Sequence, residues 1–138
     1  MILEVDVNGA TVWSYGGGGA VSLLAPSAER LDNGNTLVAD NSGYASGTAT
    51  VTEVDATGRV VWSYTDGLYG VYGVHHLTNG NTLINDQGNG RIVEVTPSGQ
   101  LVSRYGGMNT PGGFDALPDG GLVIAEYAED RVFEIAPH

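Results

Sequence analysis

Apolar residues fall in short runs of about five, divided by tight clusters of Asn, Asp, Gly, Ser and Pro, along the whole chain. One such unit recurs. Residues 31–40 read LDNGNTLVAD, residues 77–86 read LTNGNTLIND, and residues 117–126 read LPDGGLVIAE. A second unit follows each, as TEVDATGRVVWSY from Thr52, VEVTPSGQLVSRY from Val93 and a shortened FEIAPH from Phe133. It also opens the chain, as LEVDVNGATVWSY from Leu3. Gly34, Gly80 and Gly120 are 46 and then 40 residues apart, and Glu53, Glu94 and Glu134 are 41 and then 40 apart. A period in this range marks an array of small supersecondary units.

Each unit reads as four short strands. In the middle copy the pattern predicts strands over 73–78, 82–85, 91–96 and 100–105. Asn79-Gly80 and Ser98-Gly99 supply the hairpin signals, read as two-residue turns whose positive φ both Asn and Gly accept. Alternation across Ile92, Glu94 and Val95 is imperfect, as expected where a strand is covered on both faces. No stretch carries a sustained helical period with caps. Four-stranded units of about 40 to 45 residues are the signature of β-propeller blades. The expected fold is therefore all-β, a single propeller repeat domain over 1–138 with about three four-stranded blades per chain. Residues 1–15 supply strands three and four of a shared blade, 16–64 and 65–105 are full blades, and 106–138 give strands one to three of a shared blade.

Composition narrows the chemistry. With no Cys among 138 residues there is neither a disulfide framework nor a thiolate. No apolar window is long enough to span a membrane, and MILEVDVNG shows no basic segment followed by an apolar core. Five Arg, no Lys and 16 acidic residues give a net charge of −11. Nucleic acid and anionic membrane surfaces are poor partners for such a chain, since both require a basic footprint. The acid excess fits solubility in a saline habitat, and a mature exported form and a cytoplasmic one read alike. No calcium-loop spacing, catalytic triad, phosphate loop or paired-carboxylate motif is recognisable, so no metal or cofactor is expected.

The string LxNGNTLxxD followed by EVDxxGRVVWSY resembles the blades of NHL-type and quinoprotein-like propellers. His75-His76 before LTNGNTL also resembles one blade of the arylsulfotransferase-like propeller family. That resemblance implies a channel histidine carrying a sulfuryl group, a role only His75 or His76 matches. Asp86, Asn89 and Arg91 resemble the Asp…Asn-x-Arg pattern of NHL blades, where charge-assisted hydrogen bonds would tie the loop. Glu126 and Arg131 offer the same pair in the last copy.

In an antiparallel blade, the first-to-second and third-to-fourth turns share one face, and here those turns are all tight. The other face collects longer, richer loops, and binding residues tend to sit on loops carried by a rigid scaffold. Tyr44, Tyr69, Tyr72, Met108 and Tyr127 are assigned to that face, where they either contact a ligand or pack between blades. His75 and His76, on an innermost strand, should point to opposite faces of the sheet. At the aligned positions stand Glu29-Arg30 and Asp115-Ala116. Trp13 and Trp62 align in the fourth strand, with Ser103 in the third copy, and read as packing between sheets.

The first functional reading is a non-enzymatic binding module or self-assembling structural propeller, closed by strand pairing between chains. Three blades fall short of the four to eight a propeller needs, so a second copy should complete a six-bladed ring or a head-to-tail polymer. Two alternatives stand beside it. One is an arylsulfotransferase-like or lyase-like enzyme using His75 or His76. The other is a glycan-binding propeller using Tyr69 and Tyr72, with Met108 and Tyr127 nearby.

Overall fold

The computed structural model describes residues 1–17 and 24–137; His138 and the side chain of Tyr44 also lie outside the described residues. Among the described residues thirteen strands form four antiparallel sheets. β1 (Ile2–Val5) pairs with β2 (Thr11–Tyr15). A four-stranded sheet follows, of β3 (Ser27–Arg30), β4 (Thr36–Asp40), β5 (Thr50–Val54) and β6 (Val60–Tyr64). The next comprises β7 (Val71–His76), β8 (Thr82–Asp86), β9 (Arg91–Val95) and β10 (Leu101–Tyr105). β11 (Pro111–Ala116), β12 (Leu122–Glu126) and β13 (Arg131–Ile135) complete the set as three strands. Strands follow chain order within every sheet, as in propeller blades. Helix is confined to two 3₁₀ turns among the described residues, Tyr44–Ser46 and Gln87–Asn89, and no helix is long and apolar enough to cross a membrane.

The hairpins differ from the expected two-residue form. In the 77–81 turn the Gly80 N–H donates to the Leu77 carbonyl (2.9 Å) and the Leu77 N–H to the Asn81 carbonyl (2.8 Å). Only Gly80 takes a positive φ, 88°, so this is a type I turn closed by a glycine bulge, with Asn79 in an ordinary conformation. Asn79 is used otherwise: its Oδ1 accepts the Asn81 N–H at 2.9 Å. The same paired backbone bonds recur at 6–10, 31–35, 55–59, 96–100 and 117–121.

The first strand of the middle sheet also starts earlier than the pattern suggests. β7 begins at Val71, with a register shift before Gly73, and ends at His76 because Leu77 enters the turn. The strand signal before Gly73 was masked by Gly70, which reads as loop. A Cβ at Gly73 would lie 3.1 Å from the Phe114 ring of the adjacent sheet, a tight approach that the glycine avoids.

Packing is between sheets. β7 lies against β3 and β4, and β11 against β7 and β8, so the first strands of successive sheets neighbour one another. β8 is buried on both faces along its whole length, its polar Thr82, Asn85 and Asp86 included. Leu37, Val51, Ile84 and Val93 belong to a core between the two four-stranded sheets, and Leu83, Ile92, Leu122 and Ile124 to a second beside the three-stranded sheet. Each such side chain stabilises by about 1.5–3 kcal/mol on burial.

Candidate functional site

The two histidines end β7, on the side of the molecule where the tight turns emerge. Glu29, near the end of the neighbouring β3, reaches both. Its Oε2 accepts the backbone N–H of His76 at 2.9 Å, and its Oε1 stands 3.3 Å from His75 Nδ1. The carboxylate thus fixes one edge of the His75 imidazole, an arrangement suited to acid–base chemistry. The His75 side chain is 39% exposed. His76 differs: its Nδ1 is buried and has no hydrogen-bond partner among the described residues.

Both histidines border a cavity of about 540 Å³ between the middle sheet and the three-stranded one. Leu77–Asn79 with Leu117, Pro118 and Gly120, from two tight turns, form its rim, and Leu83, Glu94, Tyr105, Ala116 and Leu122 its walls. Glu94 is held in place: its Oε1 accepts Asn81 Nδ2 at 2.6 Å and Asn79 Nδ2 at 3.5 Å. The cavity therefore lies on the tight-turn side, not among the long loops. Sequence reasoning passed over Glu94, Tyr105 and Ala116. The signal available was Ala116 and Ser103, small residues at repeat positions filled elsewhere by large ones.

The aromatic candidates are dispersed. Tyr72 sits near the start of β7, about 13 Å from His76 at the rise of an extended strand. Tyr69 and Tyr72 are 38% and 46% exposed. Met108 is buried in the second core, its N–H donating to the Gly90 carbonyl at 3.2 Å. Tyr127 is 86% exposed and follows β12 on the open side of the last sheet. These residues do not converge on the histidine cavity.

The loop ties expected of Asp86 and Arg91 are present. The wholly buried Asp86 carboxylate accepts Arg91 Nε at 2.6 Å, Asn89 Nδ2 at 2.8 Å and the Tyr69 N–H at 2.8 Å. Arg91 and Asn89 both continue to the Gly67 carbonyl, at 2.7 and 2.8 Å. Glu126 repeats the device, accepting the Asn109 N–H and Arg131 Nε (2.7 Å), and these bonds hold its pKa below the usual carboxylate range. Every charge in these clusters is met by a partner that fixes a loop, which marks them as structural. Asp6 and Asp55, in tight turns, are lowered by hydrogen bonds in the same way, Asp55 to about 2. Among the described residues no group of three His or acidic side chains could hold a metal ion.

Solved structures resemble this arrangement. A protein of unknown function from Bacteroides caccae matches with a TM-score of 0.61 at 20% identity, over 96% of this chain and 52% of that one. The WD40 β-propeller domain of Doa1 gives 0.72 at 17% identity, over 92% and 40%. A virginiamycin B lyase from Staphylococcus aureus gives 0.62 at 13% identity, over 96% and 47%. The fold is thus propeller-like, and the chain spans about half the length of these proteins. No family model matches the chain, and no curated protein does.

Proposed function

We propose that the protein is a self-assembling propeller module whose incomplete sheets are completed by strand pairing between copies. The observation that carries this reading is the complementarity of two partial sheets. We read β1 and β2 as strands three and four, a reading supported by their register: Glu4 faces Trp13 as Glu53 faces Trp62. β11 to β13 occupy positions one to three, and among the described strands β13 pairs only with β12. Both partial sheets expose apolar residues that the full sheets cover: Leu3 and Val5 are 49% and 55% exposed, and Val132 69%. Open strand edges with apolar faces are templates for pairing with another chain. Meeting edge to edge, the two partial sheets form one blade with a spare strand at its outer edge, and two copies close a six-bladed ring. The resemblance of the repeats to NHL-type blades supports the same reading. Removal of residues 1–15 tests it: the shortened protein should lose the assembly and run as single chains, and an unchanged assembly would refute the strand pairing.

A second reading rests on the Glu29–His75 pair. It is an imidazole oriented by a carboxylate beside a cavity, in a fold shared with a streptogramin B lyase and with the lyase whose H270A variant is described as catalytically inactive. The arylsulfotransferase-like resemblance of His75-His76 points to the same residues. In this reading His75 acts as the acid–base group and Glu29 positions it. Turnover of a streptogramin B or of an aryl sulfate, lost in His75→Ala, would establish it. An inactive unmodified protein across both substrate classes would remove it.

A further inference from the structure

Three junctions between successive sheets repeat one arrangement, and the third lacks its two largest parts. In the first, Glu4 faces Trp13 across the β1–β2 ladder. Arg30 reaches from the next sheet, placing Nη2 2.5 Å from Glu4 Oε2 and its guanidinium 4.6 Å from the Trp13 ring centroid. In the second, Glu53 faces Trp62 and His76 stands where Arg30 does, and the space beside them, about 200 Å³, is no larger than that beside Arg30 in the first. In the third, Glu94 faces Ser103, Ala116 takes the place of Arg30, and Leu122 that of Thr36. The 540 Å³ cavity lies there.

We propose that this third junction binds a small aromatic cation carrying an amidinium or guanidinium group. The chain supplies the template, because the first junction shows what the surrounding geometry accommodates: a planar cation on the glutamate and an aromatic ring beside it. Glu94 is already aimed and held by Asn79 and Asn81, and both of those bonds fall on Oε1. The cation is assigned to Oε2, as a charge-assisted hydrogen bond to one carboxylate oxygen like that of Arg30 Nη2 on Glu4 Oε2. Leu83, Leu122 and Tyr105 wall the space for the ring. The volume falls within the range of small-molecule sites, about 300–1,000 Å³. The net charge of −11 favours cations over anions in any such cavity. Both sheets that line the site belong to one chain.

Calorimetric titration of the intact protein with benzamidine, and with its neutral isostere benzamide, tests the proposal. Benzamidine should bind at least about tenfold tighter than benzamide, a difference of roughly 1.4 kcal/mol. Glu94→Gln should erase that preference. Ser103→Trp combined with Ala116→Arg rebuilds the first junction's own contents and should abolish binding while the protein stays folded by circular dichroism. Absent benzamidine binding, equal affinity for the two probes, or undiminished binding to the folded double variant would each overturn the proposal. Should the double variant not fold, the Glu94→Gln titration decides: loss of the preference supports the site, and its retention overturns it.

Discussion

Trp62 in β6 donates its indole N–H to the carbonyl of Pro97, in the β9–β10 turn of the next sheet, at 2.9 Å. Trp13 does the same to Ala56, in the β5–β6 turn, at 3.0 Å. The repeated tryptophan is thus both packing and a directional tie from the outermost strand of one sheet to a turn of its neighbour. Buried aromatic area holds the sheets together, and the indole bond sets their register.

Trp62→Phe separates those two contributions, keeping a ring and removing the donor. The expected loss is about 1 kcal/mol, the net worth of one hydrogen bond. Urea unfolding followed by circular dichroism would measure it, and a change of zero would assign the tryptophan to packing alone.

Asp86 and Arg91 should dominate the polar contribution to stability. Their 2.6 Å contact lies between side chains that are 0% and 14% exposed. Arg91→Met leaves a buried carboxylate short of its cation, and the expected destabilisation is about 3 kcal/mol or more. The Arg59 side chain, 77% exposed in its bond to Asp55, is the contrast: Arg59→Met should cost less than about 1 kcal/mol. Similar losses for both variants, in parallel denaturant titrations, would contradict the burial argument.

Acid should weaken the fold in a defined window. The Thr57 hydroxyl, then the Arg59 backbone N–H, bond the Asp55 carboxylate and lower its pKa from 3.8 to about 2. A carboxyl group lowered on folding adds stability above its unfolded pKa, and that contribution disappears as pH falls through the folded value. The loss contributed by Asp55 should therefore run from about pH 4 down to about pH 2. Thr57→Ala should raise the Asp55 pKa and move acid unfolding to higher pH. Carboxyl-carbon NMR titration of both proteins reads the shift directly, and an unmoved Asp55 would exclude the hydroxyl as its cause.

Much of the fold was legible because the repeats report themselves. LDNGNTLVAD, LTNGNTLIND and LPDGGLVIAE each bring a turn and the second strand, and all three fold alike. Strand ends were less legible: β7 starts at Val71, directly after Gly70, a positive-φ glycine that reads as loop. The Asp86–Arg91 tie was readable from spacing, since both side chains stand on paired strands directly opposite each other. The cavity was not, because it arises from what is missing. Ser103 and Ala116 lie 13 residues apart on different sheets, and only the packing of β10 against its neighbour shows that both absences open one space. His75 and His76 were marked as a pair, yet Glu29, 46 residues before His75, places a carboxylate oxygen 3.3 Å from its Nδ1.

The central claim is closure between copies, and the mass of the intact protein in solution tests it most directly. One chain weighs 14.3 kDa. Light scattering behind size-exclusion chromatography, at micromolar concentration, should return twice that mass for a closed six-bladed ring. A stable species of single-chain mass, with Leu3, Val5 and Val132 left in water, would contradict the account.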